Sequence, residues 1–117
     1  NDEMVALIRP DWIGTSDPPY TDWRFTQIKH ALGGPNFIRL PDGALWASGR
    51  VRNADGQPET VLARMTPTTF EPVFSLPSGG DNSYAGMVWH DNLLWMSYYS
   101  SHEGKTSIYL ARLKLGG

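Results

Sequence analysis

Between Gly79 and Leu113 the chain gathers groups that can move protons or hold a polar ligand: Asp81, Tyr84, Tyr98, Tyr99, His102 and Glu103. Carboxylates and imidazoles are among the side chains most used for general acid–base work. The phenols offer an O–H and a flat face. Asn36, Arg39, Arg50, Arg52 and Asn82 add donors for hydroxyl or anionic groups. Each residue also has an ordinary role open to it. Tyr98 and Tyr99 alternate along a strand and can pack against a neighbouring sheet. His102 and Glu103 precede Gly104 in a loop and can simply be solvated. Asp81 and Asn82 suit a turn after Gly79-Gly80. Which role holds depends on the elements that carry them.

Composition narrows the field. The 117 residues make one modest domain, with net charge −2 and no cysteine. No basic field is present to attract nucleic acid or anionic lipid. No apolar run approaches the ~20 residues of a membrane-spanning helix. The opening "NDEMVALIRP" is not a signal peptide and reads as a cut or mature boundary. No metal motif, phosphate-binding glycine loop or nucleophile elbow occurs, so neither metal nor cofactor is expected. Five Trp, twelve Gly and nine Pro point to short strands and frequent turns. "WRFTQIKHALGG" ends in a plausible helix cap, but its β-formers and lack of an apolar stripe make it a strand.

Repetition organises the chain. "PDGALWASGR" (41–50) aligns with "HDNLLWMSYY" (90–99), and "VLARM" (61–65) with "YLARL" (109–113). The offset of about 48 to 49 residues matches one blade of a four-stranded propeller. Asp42-Gly43 between apolar runs is a strong hairpin signal. The predicted strands are 3–9, 12–16 and 23–30; then 36–41, 44–52, 60–66 and 70–76; then 83–90, 93–100 and 106–114. The fold class is therefore all-β: antiparallel four-stranded meanders as propeller blades, about three per chain, the outer two incomplete. A single partial domain with units near 3–30, 36–76 and 83–114 follows. Incomplete arcs leave apolar faces exposed. Copies of the chain are expected to close a ring, a homodimer making six blades, unless the segment belongs to a longer propeller.

Loops alternate between the two ends of such a meander. Loops 33–36, 53–60, 79–84 and 100–107 share one end and carry the varied polar residues. Asn36, Arg50, Arg52, Asp81, Asn82, Tyr84, Tyr99, His102 and Glu103 fall at or near it. Arg39 sits on an inner strand. Arg64 and Arg112 occupy repeated positions, which favours a structural role. Loops held on a rigid scaffold are where function concentrates.

"SDPPYTDW" (16–23) resembles a worn Asp box, with Thr15, Asp17 and Thr21 in place, Pro19 for the usual Gly and Trp23 one place late. "GGDNSYAGMVWHDNLLWMSYYSSHEGKTSIYLARLKL" together with "GGPNFIRLPDGALWASGR" is similar to the closing blades of bacterial sialidase-like (BNR-repeat) proteins. The resemblance runs from Met4 to Leu115. It implies a six-bladed propeller, a central glycan site and an extracellular or periplasmic setting. "NSYAG" resembles the segment bearing the sialidase nucleophile, which puts that role on Tyr84. Glu103 or Asp81 would be its base and His102 a proton-transfer partner. Asn36, Arg39, Arg50, Arg52, Asn82 and Tyr99 would bind substrate. The family's arginine triad is not assignable, and its acid/base Asp belongs to an early blade. The expectation is a sialidase-like propeller fragment, of glycoside hydrolase ancestry, with a glycan site at this loop end; one copy alone lacks an assignable arginine triad and acid/base for catalysis. The alternative is a non-catalytic carbohydrate-binding or structural, self-assembling propeller module.

Overall fold

The computed structural model describes residues 2–115. Ten strands occur: β1 (Met4–Ile8), β2 (Trp12–Ser16), β3 (Trp23–Gln27), β4 (Gly33–Arg39), β5 (Leu45–Arg52), β6 (Pro58–Met65), β7 (Phe70–Ser75), β8 (Asn82–His90), β9 (Leu93–Ser100) and β10 (Ser107–Leu113). There is no helix among the described residues. The strands form three antiparallel sheets, β1-β2-β3, β4-β5-β6-β7 and β8-β9-β10, each a meander in chain order. None closes into a barrel.

Turn chemistry sets the register. Asp91 and Asn92 take left-handed φ values of 54° and 59° and join His90 to its partner Leu93. That two-residue form matches the twist of the flanking strands. At the equivalent turn, Gly43 has φ 89° and Asp42 accepts from the Ala44 N–H at 2.9 Å. The 16–23 turn is also bonded: Ser16 Oγ donates to Asp22 O at 2.6 Å, and Trp23 Nε1 donates to Tyr20 O at 3.2 Å.

The middle sheet is covered on both faces because its residues alternate. Leu45, Ala47, Val51, Val61, Ala63 and Met65 pack with Ile13, Ile28 and Leu32 on the first-sheet side. Leu62 packs with Leu94, Met96 and Tyr98 on the third-sheet side, where Trp46 also lies. Leu62, Leu94 and Met96 are fully buried, each stabilising the fold by about 1.5–3 kcal/mol. The repeat continues at the cation–π level. Arg64 lies 5.0 Å over Trp46, and Arg112 lies 5.6 Å over Trp95.

Two strand ends differ from the sequence expectation by three residues. The strand at 23–30 stops at Gln27, because Ile28 N and Leu32 N donate to Asp11 O and Pro10 O and turn 28–32 into a core-filling loop. The next strand starts at Gly33 rather than 36, since a bulge between Gly33 and Asn36 lets Gly33 pair with Arg50. β8 has the matching bulge between Ser83 and Gly86. β4 and β8 meet edge to edge: Ser83 Oγ donates to Gly33 O at 3.0 Å, and Asn36 Nδ2 donates to Ala85 O at 2.9 Å.

Candidate functional site

The β8 bulge shapes the site. Tyr84 sits in it with φ 52°, a left-handed conformation that costs an L-residue about 1–2 kcal/mol. Its counterpart in the β4 bulge is Gly34, φ 53°. A Cβ on Gly34 would stand 2.1 Å from Ser83 Oγ and 2.9 Å from Tyr84 N, so that position needs glycine. In β8 the same backbone geometry carries a large aromatic instead. Bulges re-aim side chains next to binding sites. Here the Tyr84 side chain is turned into solvent, 64% exposed.

The Tyr84 ring stacks on Tyr99, with centroids 6.1 Å apart and planes 18° from parallel. Tyr99 OH donates to Asp81 Oδ1 at 3.0 Å. Arg50 Nη1 donates to Asn82 O at 3.2 Å and lies 3.9 Å from Asp81 Oδ1. Four chain segments thus converge: the end of β5, the loop before β8, the β8 bulge and the end of β9. Burial, then the hydrogen bond to Asp81, raises the Tyr99 phenol above its usual range. Tyr99 is therefore a hydrogen-bond donor at neutral pH and not an anion.

Asn82 is a scaffold residue. Its side chain is fully buried, accepts from Thr60 Oγ1 at 2.6 Å, and donates to Gly80 O at 3.0 Å and Pro58 O at 3.3 Å. These bonds fix the loop carrying Asp81 against the start of β6. Asn36 bridges β4 to β8 beside the bulge. Arg52 lies at the same end, with Nη1 on Gly56 O at 2.8 Å. Arg39 pairs with Leu45 next to the 41–43 turn, at the other end of the sheet from Tyr84.

His102 and Glu103 form a second cluster. Tyr109 OH donates to the Glu103 carboxylate, and the His102 ring lies 4.7 Å from the Tyr109 ring. His102 Nδ1 is 2.8 Å from Ser100 Oγ. Tyr109 stacks on Tyr98, its cross-strand partner. Tyr98 and Tyr99 are adjacent in β9 and point to opposite faces. The His102–Glu103–Tyr109 group therefore lies across the sheet from the Tyr84–Tyr99 pair. The bond to Glu103, then burial, raises the Tyr109 phenol. Asp81 is the carboxylate on the Tyr84 side, and its described hydrogen bond goes to Tyr99. No group of three or more His, Cys, Asp or Glu able to hold a metal occurs among the described residues.

Sequence reasoning missed Thr60, Ser100 and Tyr109. The Tyr109–Tyr98 register and the Thr60–Asn82 contact were readable only once strand pairing was known. No known protein family, curated protein or solved structure matches this chain.

Proposed function

We propose that this chain is part of a sialidase-like propeller and that the Tyr84–Tyr99 face, with Asp81 and Arg50 beneath, binds a glycan without turning it over alone. The observation that carries this reading is Tyr84 itself: an exposed ring on a left-handed backbone where the repeat otherwise uses Gly34. A costly conformation that presents an aromatic face is a functional signature. Flat aromatic faces with convergent polar groups suit sugar rings. The blade reading is supported by three meanders in chain order, the second and third with matching bulges, packed on one another through two shared cores. Glu103 and His102 engage Tyr109 rather than Tyr84, which favours binding over covalent catalysis. The test is an aryl sialoside assay beside a sialyllactose binding titration. Saturable binding without turnover is expected. Turnover abolished by Tyr84→Phe would instead assign Tyr84 as a nucleophile and overturn the binding-only reading.

A second reading concerns assembly and is favoured by the two outer sheet faces. Met4, Ile8 and Phe25 are exposed on one, and Val88, Ile108 and Leu110 on the other. The repeat makes Trp95 and Arg112 equivalent to Trp46 and Arg64, whose face is covered by the next sheet. The third sheet thus offers the surface that a further sheet would cover, and the first sheet of a second copy has the apolar face to do so. Two copies of three sheets would close a ring. A dimer by light scattering, dissociated by Ile108→Lys, is expected. A monodisperse monomer would exclude this assembly.

A further inference from the structure

A cavity of about 330 Å³ opens at the seam of the first and second sheets, at the loop end, and its rim is basic. Arg9, Lys29, His30, Arg50 and Arg52 line it, and no carboxylate does. Four of the chain's ten Lys and Arg residues therefore line one space, in a protein of net charge −2. Such a concentration makes a local field that favours anions.

The cluster is held by its scaffold. Pro10 O accepts from Leu32 N at 2.6 Å and Asp11 O from Ile28 N at 2.8 Å, tying the segment after Arg9 to the loop carrying Lys29 and His30. Arg50 lies over Gly33, where a Cβ would stand 2.6–2.8 Å from the guanidinium. Only a residue without a Cβ lets the guanidinium rest there. Arg52 is held by Gly56 O. Arg50 has one ion-pair partner among the described residues, Asp81 at 3.9 Å, which is mostly exposed and shared with Tyr99. Among the described residues, Arg9, Lys29 and His30 have no ion pair.

We infer that this cavity binds a small molecule through a doubly charged oxyanion of the phosphate-monoester type. Arginine forks match tetrahedral oxyanions bidentately, and lysine adds a point charge. Several cations around one space exceed what a single carboxylate neutralises. The volume also exceeds a bare phosphate, leaving room for a small organic body. This inference is separate from the proposed glycan site: Arg50 borders both, but Arg9, Lys29 and His30 belong to the cavity.

The test is an NMR titration of the whole chain at low salt with inorganic phosphate, with sulfate and acetate in parallel. Saturable shifts in residues 29–33 and 50–52 are expected with phosphate. Acetate should bind about tenfold or more weakly, since it forms fewer charge-assisted bonds. Sulfate binding as tightly as phosphate supports a general dianion site, and weaker sulfate binding supports a phosphate-selective one. Arg9→Gln and Lys29→Gln, both at solvent-facing positions, should each weaken phosphate by about tenfold. Absence of saturable shifts, acetate binding as tightly as phosphate, or unchanged affinity in the two variants would overturn the inference. Shifts from neutral lactose at Tyr84 and Tyr99 read the glycan site separately.

Discussion

Replacing Tyr84 by alanine and by glycine separates the backbone from the ring. Both variants lose the stack on Tyr99, so their difference reports the backbone: the φ of 52° set against glycine's entropy. Left-handed φ costs alanine about 1–2 kcal/mol and glycine almost nothing. Glycine loses about 0.5–1 kcal/mol more backbone entropy on folding. The balance makes Tyr84→Gly more stable than Tyr84→Ala by about 0.5–1 kcal/mol, the reverse of the usual order in a strand. For a domain of this size that is about 2–6 °C in Tm. Urea and thermal unfolding of the pair measure it. The matching change Gly34→Ala meets both the same φ and a contact of 2.1 Å, and should cost about 2 kcal/mol or more. An alanine variant as stable as the glycine variant would refute the strained-bulge account of how Tyr84 is presented.

Asn82→Ala should destabilise by about 2–3 kcal/mol, because it strands the buried Thr60 hydroxyl and unpairs Pro58 O and Gly80 O; urea midpoints check this. Ser48→Ala should be neutral or stabilising by up to about 1 kcal/mol, since Ser48 Oγ is buried without a hydrogen-bond partner; a clear loss of Tm would show that the hydroxyl is satisfied. Glu103→Gln should lower the Tyr109 pKa toward 10.0, read by ultraviolet difference titration. The raised Tyr109, Tyr99 and Tyr98 phenols bind protons more tightly in the folded state. Their contribution is therefore fully present below the unfolded pKa near 10.0 and is lost as pH rises through the folded values. Thermal melts across that alkaline range should show the decline, smaller in Glu103→Gln.

Strand positions were legible because turn chemistry and alternation are local. Asp91-Asn92 and Asp42-Gly43 locate two hairpins without any tertiary information. The Trp-plus-Arg repeat was equally visible, since cross-strand partners recur at a fixed offset. The β3 end was not, because Ile28 and Leu32 leave the strand to satisfy carbonyls of a different turn. Nor was the split of the polar loop residues. His102 and Glu103 lie only a few residues past Tyr99, yet strand alternation and Tyr109 draw them to the opposite face. The left-handed Tyr84 was hidden for another reason: nothing in "NSYAG" marks a bulge until the backbone of Gly34 is seen in the same conformation.

The most direct test of the account is an NMR titration of the chain with sialyllactose. Saturable shifts centred on Asp81, Tyr84 and Tyr99, lost in Tyr84→Ala and not accompanied by hydrolysis, are the predicted result. No saturable shift at these residues, or shifts that survive Tyr84→Ala unchanged, would contradict it.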